Sequence, residues 1–521
     1  MVSPGSRNAP LIFAGNAIDT IKMHSVVDER SAAFVALGIA QSTNKPVGLV
    51  CTSGSALLNY YPAIAEAYYS NTPLIVLSAD RPSAWIDQWD GQCIRQEGAF
   101  KNHIRGFVAT PEELFNPAQF YYSAADILGF CFGVDKGPIH INIPIEEPFY
   151  FEEWEPDPNI LKGVDSFSIK ENAIEISGLE RCLEDVQKAE KVIVFGGKGA
   201  PIINGLGKGV VHLLDILAEN SGASEMNHWD ALLSSNSIRG ELFEPNLLLT
   251  YGKYTISKAL KTFIRGIPSI QHWHISESSE IGNPFQSTMH QLKMDPKKFF
   301  PKVEQLIETR NSEYNRHWTE ALLKYETAFE NLDWTSTFHE FSAVKHILNS
   351  IEGTIHLGNS MPIRYASFVA NFSNKTYRCN RGTSGIDGCV STAIGSSSQS
   401  AKKEYLIVGD ISFFYDSNAL WNSLTRNLSI ILMNNGGGRI FELINGPDKM
   451  GDSIDYQTTP NSRTAKHIAQ DHQIQYLPVR SYTELDGALD AVKTINGPSI
   501  IEIFTDPALN KSFYLEFKSL G

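Results

Sequence analysis

No stretch of about 18 consecutive apolar residues occurs in this chain, so a hydrophobic membrane-spanning helix is not expected. Paired cysteines are lacking too. The six stand at 51, 93, 131, 182, 379 and 389, none in Cys-x-x-Cys spacing. That speaks against a zinc site or a redox dithiol, and reduced thiols in a cytoplasmic protein are the simpler reading. Positive charge is in deficit: 44 Lys and Arg stand against 58 Asp and Glu, a net charge of −14. A nucleic-acid footprint is therefore not expected, and an anionic ligand would need a locally basic pocket. No basic-then-apolar leader is visible, since Met1 runs straight into Val2-Ser3-Pro4-Gly5-Ser6-Arg7. Short-period repeats and low-complexity tracts are absent as well.

What is present suits a large core. The chain has 521 residues, 42% of them hydrophobic and 20% charged, enough for about three domains of ~150 residues. Short apolar runs alternate with helical stretches. Pro46 to Cys51, Leu74 to Leu77 and His140 to Pro144 read as strands, and Ser55 to Ser70 as one helix. Such alternation predicts an α/β fold with parallel sheets flanked by helices. The acidic, Pro-containing segment 151–172 breaks the rhythm and reads as a linker. A second block follows, with a helix over Glu180 to Glu190 and a strand over Lys191 to Phe195. Its Gly196-Gly197-Lys198-Gly199 lacks the Gly-x-Gly-x-x-Gly spacing of a dinucleotide fingerprint and reads as a turn. Residues 308–336 read as a polar connecting stretch with a long surface helix. The third block opens on a helix with Phe341, Val344, Ile347, Leu348 and Ile351 on one face. Three domains are expected: 1–155, 170–310 and 335–521.

Two neighbouring stretches carry the chemistry. Tyr405-Leu406-Ile407-Val408 leads into Gly409-Asp410-Ile411-Ser412, and Leu428 to Met433 leads into Asn434-Asn435-Gly436-Gly437-Gly438. With 24 residues between Asp410 and Asn435, a βαβ crossover would bring both to one edge of a parallel sheet. A carboxylate, an amide oxygen and a Gly carbonyl are hard donors suited to Mg2+ carrying a diphosphate. The pair alone also fits an ordinary α/β unit with polar strand ends.

This pattern resembles the diphosphate-binding motif of thiamine diphosphate enzymes. The resemblance implies three domains of thiamine diphosphate-binding fold, with 1–155 binding the pyrimidine and 335–521 the diphosphate. It makes Asp410, Asn435 and the Gly437 carbonyl ligands of Mg2+, or of Mn2+ in its place. Glu29 opens the helical segment after Val26-Val27-Asp28. Out of context it is a favourable helix-start charge; within the resemblance it is the carboxyl that shares a proton with N1′ of the aminopyrimidine, a role suited to burial and a raised pKa. Because the two half-sites sit on different domains, the resemblance also implies a homodimer or homotetramer with shared active sites.

Longer strings narrow the resemblance. Ser3-Pro4-Gly5-Ser6-Arg7-Asn8-Ala9-Pro10-Leu11, Thr52-Ser53-Gly54-Ser55-Ala56 and Ser78-Ala79-Asp80-Arg81-Pro82 come first. Gly358 to Arg364, Asn380 to Gly388 and Asn434 to Phe441 follow in order. Together they look like the 2-succinyl-5-enolpyruvyl-6-hydroxy-3-cyclohexene-1-carboxylate synthase family of menaquinone biosynthesis, from residue 3 to about residue 450. That implies decarboxylation of 2-oxoglutarate and addition of the succinyl carbanion to isochorismate. Both are carboxylates, for which Arg forks are natural partners. By resemblance, Ser6, Arg7, Arg81, Gln92, Lys258, Ser360, Arg364, Arg381 and Phe441 would meet substrate. Ile386 would wedge the cofactor into a bent shape, Ile440 would add an apolar wall and Ser412 would meet the diphosphate. Two departures stand out. Family members usually carry a helix and most of a strand before the Ser-Pro-Gly-Ser-Arg motif, which here abuts Met1; and Ala259 stands where some members have Arg. An acetolactate-type or other 2-oxo-acid decarboxylase, and a non-catalytic binding protein of this fold, are the alternatives.

Overall fold

Parallel strands need crossovers, and crossovers bring helices to both faces of a sheet. Strands in such a sheet are buried on both sides, which is why so many here are unbroken apolar runs. All the strand pairings within the three sheets are parallel. The computed structural model describes residues 1–110, 117–147, 149–150, 178–219, 226–235, 238, 240–307, 312–370, 372, 374–424, 427–443 and 446–520. The linker expected at 151–172 lies outside the described residues.

The first sheet has four strands, Val47–Cys51 (β1), Leu74–Asp80 (β2), Gly106–Ala109 (β3) and Ile139–Pro144 (β4), in the order β1-β2-β4-β3. The second has five, Val192–Gly196 (β5), Val211–Leu214 (β6), Leu247–Tyr251 (β7), Gln271–Ile275 (β8) and Met289–Leu292 (β9), in the order β6-β5-β7-β8-β9. The third has six: Gly353–Leu357 (β10), Lys375–Arg378 (β11), Glu404–Gly409 (β12), Leu428–Asn434 (β13), Gln475–Val479 (β14) and Ser499–Phe504 (β15). Their order is β11-β10-β12-β13-β15-β14. The chain runs one way from β10 to β11 and the other way from β12 onward, so the sheet has a switch point between β10 and β12. Ligands of α/β sheets bind outside the carboxyl ends of the strands at such a point.

The residues just before the Ser-Pro-Gly-Ser-Arg motif pair beside β1. Val2 bridges both Ser25 and Val50, and Met1, Val2 and Ser3 are all buried. Val2 N–H donates to His24 O at 2.8 Å, and the Met1 amine donates to Gly48 O at 2.6 Å. Three residues are enough to satisfy the backbone beside β1.

Two helical expectations need correction. The stretch 55–70 forms two helices, Ser55–Asn59 and Tyr61–Tyr69. Pro62 explains the break, since a proline ring collides with the carbonyl four residues back. The connecting helix, Glu313–Glu330, is not simply a surface helix: it buries Tyr314, Trp318, Leu322, Tyr325 and Phe329.

The first and third sheets are joined through two helices, Glu29–Thr43 and Cys389–Ser397, which cross at glycines. A Cβ on Gly395 would lie 2.0 Å from Val35 O, and one on Gly38 would lie 2.0 Å from Thr392 O. Both obstacles are backbone, so the helices must separate to admit a methyl group. Gly395→Ala is expected to lower stability by about 1–3 kcal/mol, read as a lower urea midpoint. A wild-type midpoint would show that the crossing is looser than described.

Candidate active site

The C-terminal edge of the third sheet gathers four strand ends in a row. Arg381 follows β11, Asn359 and Ser360 follow β10, Asp410 follows β12 and Asn435 follows β13. Gly409 is paired in register with Met433, so Asp410 and Asn435 leave adjacent strands at nearly the same height. Asp410 opens the short helix Asp410–Tyr415. Its Oδ1 accepts Ile411 N–H at 2.8 Å and its Oδ2 accepts Asn461 Nδ2 at 3.3 Å. Burial nevertheless holds its carboxyl above the usual range.

The two asparagines differ. Asn434 is engaged at both ends, donating to Glu502 Oε1 at 2.7 Å and accepting Gly436 N–H at 3.2 Å. Asn435 donates to Glu340 Oε1 at 3.0 Å, but its Oδ1 is buried with no partner. An orphaned buried carbonyl is costly and calls for an explanation. Gly437 has φ +144°, and a Cβ there would lie 2.5 Å from Thr458 O, so only glycine lets the turn close. One carboxylate, one free amide oxygen and one turn carbonyl match a Mg2+ site that completes its shell with phosphate oxygens. No cluster of three or more His, Cys, Asp or Glu suited to a metal occurs among the described residues.

The Ser412 hydroxyl donates to Ile386 O at 2.7 Å, so it anchors the 380–388 loop and with it the half-buried Ile386. Asn359 Nδ2 ties the same loop through Asn380 O at 2.8 Å and Gly385 O at 2.7 Å. Ile440 and Phe441 lie on the 3-10 turn Arg439–Glu442, both half-buried.

Cations cluster beside these strand ends. Arg381 Nη1 donates to Asn359 Oδ1 at 2.9 Å, while its Nε is buried without a partner. Arg364 Nη1 donates to Ser360 O at 2.6 Å, and Ser360 takes φ +77°. Burial, and then the charge of Arg381, hold the Arg364 guanidinium below its usual range. Lys258, expected here, is exposed at the start of the helix Lys258–Arg265. Lys261, one turn on, lines a cavity of about 800 Å3 together with Lys253, Tyr254, Arg381 and Ser384. Burial, followed by the charge of Arg381, lowers the Lys261 ammonium from its usual range.

The first sheet presents a second group at its own carboxyl edge. Glu29 opens its helix, capped by Asp28, whose carboxylate accepts Ser31 N–H at 3.2 Å. Contrary to the expectation of a buried carboxyl, Glu29 is half-exposed in the single chain. Its Oε2 accepts Asn59 Nδ2 at 3.2 Å, and Val27 and Leu58 beside it are each 45% exposed. Arg7 is only 2% exposed: it donates to Ile145 O and lies 4.6 Å from the Phe149 ring centroid. Its Nε, like that of Arg381, has no partner. Arg81 donates to Gly91 O at 2.7 Å, steadying the turn that leads to the exposed Gln92. Ser6 is exposed.

Among the described residues, no hydrogen bond or ion pair joins the Glu29 group to the Asp410 group. The Glu29 helix instead meets the far end of the Asp410 helix. Arg30 donates to Tyr415 O at 2.9 Å and lies 3.6 Å from Asp416. One chain thus carries two separate groups of polar residues, each at a sheet edge.

Sequence reasoning missed three charged residues, Lys261, Glu66 and Glu340. Glu66 is fully buried and accepts Gly382 N–H at 2.7 Å, Thr383 N–H at 2.6 Å and the Thr383 hydroxyl at 2.9 Å. It holds the Arg381 loop from the first domain. Burial pushes the Glu340 carboxyl up to about 7, and the Asp410 charge adds to the rise.

Comparison with known proteins gives the family. Residues 1–104 match the thiamine pyrophosphate enzyme N-terminal TPP binding domain, 206–356 the middle domain of thiamine pyrophosphate enzymes and 334–503 the C-terminal TPP binding domain. A 2-succinyl-5-enolpyruvyl-6-hydroxy-3-cyclohexene-1-carboxylate synthase of Flavobacterium johnsoniae is 36% identical, covering 97% of this chain and 93% of the relative. Synthases of the same name from Bacteroides fragilis and Flavobacterium psychrophilum are 34% and 37% identical, each covering 100% of this chain and 96% of the relative. With three thiamine pyrophosphate domains in order and relatives of one name along its whole length, this chain belongs to the 2-succinyl-5-enolpyruvyl-6-hydroxy-3-cyclohexene-1-carboxylate synthase family.

Proposed function

We propose that the protein decarboxylates 2-oxoglutarate and joins the remaining succinyl unit to isochorismate, with thiamine diphosphate and Mg2+ as cofactors. The observation that carries this reading is the unpartnered Asn435 Oδ1 beside Asp410 at adjacent strand ends. It is the kind of acceptor that a diphosphate-bound cation satisfies. Asp410, Asn435 and the Gly437 carbonyl would hold the metal, and Ile386 and Ile440 would border the cofactor rings. When bound, thiamine diphosphate supplies an electron sink that stabilises the carbanion left as CO2 departs.

The chain's own groups then divide the remaining work. Glu29 would hold a proton against N1′ of the pyrimidine. Arg381, Arg364 and Lys261 offer converging cations to substrate carboxylates, and Arg7 and Arg81 offer two more from the other half-site. Ser6, Gln92 and Ser360 add polar contacts, and the half-buried Phe441 an apolar one. The exposed Val27 and Leu58 around Glu29 support a homodimer in which the diphosphate half-site of a second copy covers them. The relatives' shared name gives no support to an acetolactate-type or non-catalytic reading.

The test is CO2 release from labelled 2-oxoglutarate. Release should require thiamine diphosphate, Mg2+ and isochorismate together. Consumption of pyruvate with 2-oxoglutarate ignored would overturn the substrate assignment. Within the site, Lys261→Ala should raise the KM for one carboxylate substrate by roughly 10- to 100-fold, the usual cost of a lost hydrogen bond to a charged group. Lys258→Ala should change it less than about twofold, as for an exposed charge. The reverse ranking would return the contact to Lys258.

A further inference from the structure

We infer that Glu340 is a positioning residue that fixes which end of the Asn435 amide faces the metal. This rests on the reading of Asn435 as a ligand. The two ends of an asparagine side chain have nearly the same shape but opposite use, because the oxygen ligates a hard cation and the NH2 group repels it. Something must choose between them, and at Asn435 that is Glu340. Its Oε1 accepts Asn435 Nδ2 at 3.0 Å, while its Oε2 accepts the Tyr365 hydroxyl at 3.4 Å. When Glu340 is ionised, both of its carboxylate oxygens can only accept, so it is the NH2 end of Asn435 that faces it. The oxygen is turned to the other side, where it is buried and unpartnered.

Glu340 is itself well fixed. It is 3% exposed and is the first residue of the helix Glu340–Ser350. Its N–H donates to Asn510 Oδ1 at 2.9 Å, and His339 Nδ1 caps the helix by accepting Ser342 N–H at 3.2 Å. The helix N-terminus favours the carboxylate and offsets part of its desolvation. Outer-shell groups of this kind, which orient a ligand without touching the ion, commonly change metal affinity by about 10- to 100-fold.

The test uses Mn2+ as a spectroscopically visible stand-in for Mg2+, titrated into the full-length protein with thiamine diphosphate and followed by electron paramagnetic resonance. Glutamine at this position keeps the shape but can offer Asn435 either an oxygen or an NH2 group, so the choice is lost. Glu340→Gln should weaken Mn2+ binding by about tenfold or more. Asn435→Asp alone sets two carboxylates against each other and should also bind weakly. The double variant Glu340→Gln/Asn435→Asp should bind more tightly than either single one, because an aspartate presents the same atom at both ends and the introduced glutamine can donate to it. A Glu340→Gln variant with wild-type affinity would overturn the inference, as would a double variant no better than the weaker single one. Should Glu340→Gln not fold, the double variant against Asn435→Asp decides by the same ranking. Failure of the wild-type protein to bind Mn2+ with thiamine diphosphate would overturn the metal reading, and this inference with it.

Discussion

Replacing Glu29 with glutamine is expected to slow exchange of the thiazolium C2 proton of bound thiamine diphosphate by roughly 10²- to 10⁴-fold, the usual contribution of a placed acid or base. Glutamine keeps the length of the side chain and can still accept from Asn59, whose Nδ2 lies 3.2 Å from Glu29 Oε2. What it cannot do is hold the proton against N1′. Cofactor affinity should change little, because on the proposed reading the diphosphate and metal would be held by the Asp410 group. The exchange rate is read by acid quenching after transfer into deuterated water, followed by proton magnetic resonance. A wild-type rate would remove Glu29 from the chemistry.

The second large effect is expected at Asp410. It is buried at the end of β12, and its carboxylate is only partly compensated, by Ile411 N–H and Asn461. An ion pair broken by removing one buried partner costs about 3–5 kcal/mol. Asp410→Asn should therefore weaken Mg2+-dependent binding of thiamine diphosphate by roughly 10²- to 10⁴-fold. The protein without cofactor should be as stable as the wild type or more so, since a neutral amide is cheaper to bury than a lone carboxylate. Calorimetric titration and melting curves with and without cofactor would separate the two effects. Wild-type affinity in the variant would exclude Asp410 as a ligand, and a lower melting temperature without cofactor would show that its charge is structural.

Much of this was legible in the sequence because parallel strands advertise themselves. Val192 to Gly196 and Leu428 to Asn434 are buried from end to end, so they read as apolar runs, the second broken only by Ser429. The same pattern placed Asp410 and Asn435 on one edge. Elements set by a few local contacts were harder to read. Met1 to Ser3 is too short to show periodicity, yet it satisfies the backbone of two neighbours. The break at Tyr60 required giving Pro62 more weight than the apolar run around it.

Charged side chains were the least legible. Glu66 and Glu340 sit in helices and look like solvated charges until their partners at 382–383 and 435 are in place. Lys258 and Lys261 lie one turn apart on the same helix. Which of them faces Arg381 depends on how Ser257 starts that helix: its hydroxyl accepts Leu260 N–H at 2.9 Å and donates to Asp230 at 2.5 Å. Asp230 also accepts the hydroxyl of Ser367, one turn after Arg364, at 2.9 Å. That contact joins two domains and has no signature in either stretch alone.

Coexpression of Glu29→Gln and Asp410→Asn chains, assayed with too little cofactor to load an Asp410→Asn site, tests the shared site most directly. Random pairing makes half of the dimers mixed, each with one site built from an intact Glu29 and an intact Asp410, so about a quarter of the wild-type activity should return. No recovery from mixed dimers of confirmed composition would mean that Glu29 and Asp410 of the same chain serve one cofactor, contrary to this account.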